Sequence, residues 1–179
     1  MKNMKNMKLT KYDVVLRNET AEDIDSITEV TVEAFKNHPI SRQTEHYIIN
    51  ALRSAGALKL SLVAIVNGKI VGHIAFSPIQ INDGTTEWYG LGPVSVFPDY
   101  QKQGIGKALI TEGLSLIKDM GGQGCALVGD PKYYDRFGFR NYSELIHEGI
   151  PQEVFLALPF APNCPKGIVD FHEGFGATE

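Results

Sequence analysis

The chain has 179 residues, 43% of them hydrophobic and 21% charged, an ordinary globular composition with enough length to bury one core without disulfide or metal staples. Its 17 basic and 21 acidic residues leave a formal charge of −4. A nucleic-acid binder would carry the opposite excess, so any anionic ligand has to be held by local geometry.

The first eleven residues are rich in Lys and Asn and are followed by no apolar stretch. They read as a flexible extension rather than a signal peptide, which with the free thiols places the protein in the cytoplasm. No apolar run approaches the ~20 residues of a membrane helix. Residues 14–16 are a short β-rich run. Thr20 and Asp23 then form a capping-box pattern that opens a helix, with Ile24, Ile27, Val30, Val32 and Phe35 on its apolar stripe and Pro39 beyond its end. A second helix is predicted over 43–55, with Tyr47, Ile48, Ala51 and Leu52 on one face. Strands over 60–66 and 70–77 flank Asn67-Gly68, a hairpin signal. A long strand over 87–96 is interrupted by Gly92-Pro93. A helix over 104–120 stops at Gly121-Gly122. A buried strand over 125–128, a short helix over 132–137 and strands over 154–158 and 167–171 complete one domain, residues 1–179. Cys125 and Cys164 match no disulfide framework or metal-ligand spacing, and the five histidines do not cluster, so no metal is expected.

Three features carry chemistry. Gln101-Lys102-Gln103-Gly104-Ile105-Gly106 lies between a strand and a helix, where glycines let the backbone approach a ligand and the helix start offers unpaired N–H groups, a cradle for a pyrophosphate. A plain turn is the alternative reading. A dinucleotide fingerprint would need glycine in place of Leu109, and a P-loop would need glycine at Gln101 and Ser or Thr in place of Ala108. Gly92-Pro93 marks a bulge in the preceding strand, which frees the amides of Val94 and Val96 for an extended ligand arm. In Tyr133-Tyr134-Asp-Arg-Phe-Gly138-Phe139, the Tyr134 phenol is a proton donor suited to a leaving thiolate, against the alternative of an aromatic core run.

Gln101, Gly104 and Gly106, the strand exit 94–100, and Tyr134 with Gly138 and Phe139 together resemble the GNAT N-acetyltransferase superfamily. The tracts 91–96, 127–131 and 154–159 are similar to its YhbS-like subgroup. The resemblance implies an α/β (α+β) fold, with a mixed, mostly antiparallel sheet and a splayed central strand pair flanked by helices. It implies acetyl-CoA as acyl donor, with Val94, Ser95 and Val96 holding the pantetheine arm and Gln101, Lys102, Gln103, Gly104, Ile105, Gly106 and Lys107 around the phosphates. It implies an amine acceptor, whether small molecule, peptide or protein, with no nucleic acid or membrane partner; a homodimer is left open. Tyr134 is the expected general acid. Some members carry a glutamate where Gly90 stands here. Glu87 is the nearest carboxylate but has the wrong parity for that face on a regular strand, and His73 is a second candidate base. Cys125 reads as a core residue. A coenzyme A-binding sensor without turnover is the rival reading, and a nucleotide-binding domain a further one.

Overall fold

The computed structural model describes residues 4–9 and 11–179. Strand β2 (Asp13–Asn18) alternates its burial, with Val14 and Leu16 inward. At its end Thr20 and Asp23 close the expected capping box: the Thr20 amide donates to the Asp23 carboxylate over 2.7 Å. Arg17 clamps the same carboxylate with two further bonds and holds it below the usual carboxylate range. Helix α1 (Ile24–Phe35) follows and buries Ile27 and Val30. Val32 is 40% exposed, because two helical steps turn it about 200° from Val30. Helix α2 (Glu45–Ser54) buries Ile48, Ile49 and Leu52, while Tyr47 and Ala51 are only half-buried.

The hairpin forms as expected between β3 (Leu60–Val66) and β4 (Lys69–Ile81). β4 runs past residue 77 because its last three residues pair with the C-terminal strand β9 (Gly167–Phe171). β5 (Trp88–Val96) leads through Pro98–Tyr100 into helix α3 (Ile105–Asp119). After β6 (Gly124–Val128) the expected six-residue helix is one turn, α4 (Pro131–Tyr134), tightening into a 3₁₀ turn at Asp135–Phe137. β7 (Leu145–Ile146), too short for a sequence signal, pairs with β9. β8 (Phe155–Pro159) pairs with β6.

The opening segment departs from the expected flexible extension. Residues Lys5–Lys8 form β1, antiparallel to β2 from Lys5 opposite Leu16 to Lys8 opposite Asp13; residues 1–3 and 10 lie outside the described residues. Lys and Asn are poor strand formers, and the pairing comes from the open edge of β2 rather than from local preference.

The strand order is β1-β2-β3-β4-β5-β6-β8, antiparallel at every step except β5–β6. Gly72, Ile74 and Phe76 of β4 face α3: a Cβ at Gly72 would stand 3.0 Å from Leu109, and one at Gly113 of α3 would stand 2.4 Å from the Phe76 ring. The alternating residues His73, Ser77 and Ile79 face the other side, where α1 and α2 pack beside the segment running from β7 to β9. This is the mixed, mostly antiparallel sheet with helices on both faces that the sequence led us to expect.

Candidate functional site

The central parallel pair holds together over three positions only: Trp88 with Gly124, Tyr89 with Cys125 and Gly90 with Ala126. Beyond them β6 follows β8 as far as Val128 opposite Phe155, while β5 stays with β4 as far as Val96 opposite Gly72. The strands therefore fork. The extra residue that Gly92-Pro93 inserts opposite Ala75 shifts the β4–β5 register, with Ile74 opposite Val94 and Phe76 opposite Leu91. Past this bulge the ladder resumes, and Phe97 donates to the Val71 carbonyl over 2.8 Å. Backbone groups alternate between the two edges of a strand, so Ser95, like Phe97, points its amide at β4, and Val94 and Val96 point theirs into the fork. Of the three residues assigned to the ligand arm, Val94 and Val96 are thus turned toward it and Ser95 is not. Its hydroxyl is buried on the α1 face and has no partner among the described residues.

The fork leads to the loop. Gln101 donates from Nε2 to the Val96 carbonyl over 2.9 Å, and Gln103 from Nε2 to the Asp99 carbonyl over 3.1 Å. Both side chains brace the backbone, and Lys102 and Gly104 take left-handed conformations at φ 60° and 92°. The first helical bond of α3 runs from the Ala108 amide to the Gly104 carbonyl, leaving the amides of Ile105, Gly106 and Lys107 without a helical acceptor at the positive end of the dipole. Ile105 itself anchors the turn, 1% exposed in the core. Beside the loop a groove of about 790 Å³ between β1 and α3 is edged by Lys5, Lys11, Lys102 and Lys107. This local positive charge on an acidic chain suits an anion. Lys5 is tied to Glu112 at 2.6 Å.

The tyrosine pair closes the fork on the β6 side. Asp130 caps α4 through the Lys132 amide. The Tyr134 ring lies on Gly129, where a Cβ would come within 2.7 Å of it, and against Tyr133 and Phe139 at ring separations of 5.0 and 5.9 Å. Burial pushes its phenol up to about 12, so the hydroxyl keeps its proton at every ordinary pH. Tyr133, read from sequence only as part of an aromatic run, sits closer to the loop: its hydroxyl is 3.4 Å from where a Gly106 Cβ would be. Burial raises its phenol too, against the Arg136 guanidinium 4.7 Å from its ring.

Comparison with known proteins decides the family. A model of the acetyltransferase (GNAT) family matches residues 24–139. The N-acetyltransferase YhbS of Escherichia coli strain K12 is 33% identical over 153 residues, covering 80% of this chain and 90% of that protein. The chain belongs to the GNAT acetyltransferase family. Two crystal structures of GNAT proteins share its fold over nearly their whole lengths. One, from Brucella melitensis in complex with acetyl-CoA, is 45% identical with a TM-score of 0.81, covering 90% of this chain and 97% of that one. The other, Escherichia coli YhbS in complex with CoA, is 28% identical with a TM-score of 0.85, covering 97% of both chains.

On this GNAT sheet the candidate bases sit apart from one another. Glu87 precedes β5 in a left-handed turn at φ 61° and accepts a 2.7 Å bond from the Tyr89 hydroxyl. Tyr89 belongs to the α3-side core with Cys125 and Leu91, so the carboxylate is turned to the face opposite Gly90, as its parity implied. Gly90 stands opposite Ser77, and the Phe171 ring of β9 fills its place: a Cβ there would lie 2.8 Å from that ring. His73 is wholly buried, shares a 2.7 Å bond between Nε2 and the Ser61 hydroxyl, and is driven down to about 4 by burial, a neutral core histidine. Cys125 is 0% exposed, and burial raises its thiol, so it is a core residue. Among the described residues no cluster of His, Cys, Asp and Glu side chains could hold a metal ion, and no helix is long and apolar enough to cross a membrane.

Proposed function

We propose that this acetyltransferase moves an acetyl group from acetyl-CoA to a primary amine by direct attack within a ternary complex. The observation that carries the reading is the early end of the β5–β6 ladder: it turns the Val94 and Val96 amides into a gap that ends on the open amides of Ile105 to Lys107. The pantetheine arm carries its own amides and adds along β5 as a strand would, while the diphosphate takes the helix start. The Tyr133 hydroxyl and the lysines of the adjoining groove supply further donors. Relatives with acetyl-CoA or CoA bound on the same fold support this placement.

In the reaction the amine nitrogen attacks the thioester carbon and a fork amide takes the developing oxyanion. The C–S bond then breaks toward sulfur, and Tyr134 donates to the departing thiolate. A phenol near 12 is a weaker acid than a thiol of about 8.5, so Tyr134 stabilises the departing thiolate by hydrogen bonding, and the sulfur takes its proton from the acylated nitrogen, a far stronger acid. The test is a screen of small amines, peptides and lysine-bearing proteins with purified protein and acetyl-CoA, read by mass spectrometry for the gain of one acetyl group. Transfer to at least one amine is expected. Tight binding of acetyl-CoA with no turnover across the panel would mark a coenzyme sensor instead.

A further inference from the structure

Amines are protonated near neutrality, so the transfer proposed above needs a proton acceptor on the face the amine approaches. Glu87 is turned away from that face and His73 is sealed under α1. Among the described residues, one titratable side chain sits between rings of β9 and β8 on the Gly90 side. The ring of His147, just past β7, meets Phe171 edge-on at 4.9 Å and lies 5.6 Å from Phe155. Phe171 covers Gly90 on the β5 arm, and Phe155 is the register partner of Val128 at the open end of the β6 arm. His147 is therefore held by two rings that themselves pack edge-on at 6.3 Å, one over Gly90 and one opposite Val128, and it is half-buried rather than sealed.

Its tautomer is set as well. The Nδ1 atom lies 3.0 Å from the Val169 carbonyl. A carbonyl only accepts, so Nδ1 carries the hydrogen and the neutral ring presents the Nε2 lone pair. Fully buried Ser77, opposite Gly90, adds a hydroxyl with no partner among the described residues to the same face of the sheet.

We propose that His147 is the general base of the transfer, taking the place of the glutamate that Gly90 lacks; this rests on the transferase reading above. Nε2 removes a proton from the ammonium group of the acceptor, directly or through one water. The freed lone pair forms the N–C bond, the C–S electron pair then leaves on the coenzyme sulfur beside Tyr134, and the surplus proton on the acylated nitrogen passes to that sulfur, giving the amide and the free thiol. The imidazolium then returns its proton to solvent. Val169 is the orienting group, and Phe171 and Phe155 hold the ring in place beside the fork.

The experiment measures thiol release from acetyl-CoA by wild type, His147→Gln, His147→Ala and Tyr134→Phe. The nucleophile is 2-phenylethylamine in one series and water alone in a second, so that the readout does not depend on one acceptor. Calorimetry gives the acetyl-CoA dissociation constant of each variant. A base of this kind contributes about 100-fold or more, so His147→Gln is expected to lose that much in kcat with coenzyme affinity unchanged. Added imidazole should restore part of the activity of His147→Ala. Wild-type turnover in His147→Gln, or a loss explained by weakened coenzyme binding or a collapsed melting transition in both His147 variants, overturns the assignment. Loss in Tyr134→Phe alone refutes the base while sparing the transferase reading. A wild type that binds acetyl-CoA yet releases no thiol to either nucleophile or to any amine of the panel above refutes both.

Discussion

Tyr134 owes its position to what its neighbour lacks. Gly129 leaves the space its ring occupies, and a methyl group there would come within 2.7 Å of that ring. Tyr134→Phe keeps the packing and removes the donor, so kcat is expected to fall about 100-fold while calorimetry shows an unchanged dissociation constant for acetyl-CoA. His73 yields a second residue-level expectation, of stability rather than rate. Its folded value near 4 lies below the unfolded value of about 6.5. The unfolded chain therefore binds the extra proton first as pH falls. The neutral buried ring costs nothing by this route above about 6.5, and stability declines as pH drops from there toward 4, by about 3 kcal/mol in all. Thermal melts of His73→Gln should lose that part of the acid-side decline, and identical pH dependence in wild type and variant would refute it. The motif around Tyr134 was legible because Gly138 stands only four positions after it. His147 was not: it belongs to no motif, and only the pairing of β7 with β9 brings it to Phe171 and the Val169 carbonyl.

Among the elements, the loop proposed for the diphosphate is the best marked in the sequence, because its requirements are local. Gly104 adopts φ 92°, and a Cβ there would meet only Leu9 at an ordinary 3.8 Å, so a side chain there is opposed by conformation rather than by crowding. Gly104→Asp adds left-handed strain of about 1–2 kcal/mol and sets a carboxylate against the diphosphate. Calorimetry should show acetyl-CoA binding weakened by at least about tenfold for each 1.4 kcal/mol lost, and unaltered affinity would remove the diphosphate from this loop. The hairpin turn, the capping box of α1 and the Gly92-Pro93 bulge were readable for the same reason. The extension of β4 to Ile81, the short β7 and strand β1 were not, since each exists only through a partner distant in sequence. Val32 shows a smaller limit: an apolar residue near a stripe was counted into it although the helical turn sets it outside.

At the scale of the whole molecule, β1 covers the outer edge of β2 and adds Lys5 and Met7 to the groove beside the phosphate loop. Deleting residues 1–8 should uncover that edge. The truncated protein is expected to melt at a lower temperature, by about 2–4 °C per kcal/mol lost, and to scatter light increasingly with concentration as bare edges pair. A truncated chain that melts and sediments like the full one would show that β1 adds nothing to the fold.

The Phe171 ring seated over Gly90 reaches beyond packing. The strand and loop proposed to hold the coenzyme's arm and diphosphate lie on one continuous stretch from β5 through the start of α3, whereas the ring over Gly90 is borrowed from a stretch of chain some eighty residues later. On the proposed reading, substitution in that later stretch would leave the hold on the coenzyme's arm and diphosphate untouched, and descendants of such a sequence would be free to exchange one amine for another without relearning how to hold the coenzyme.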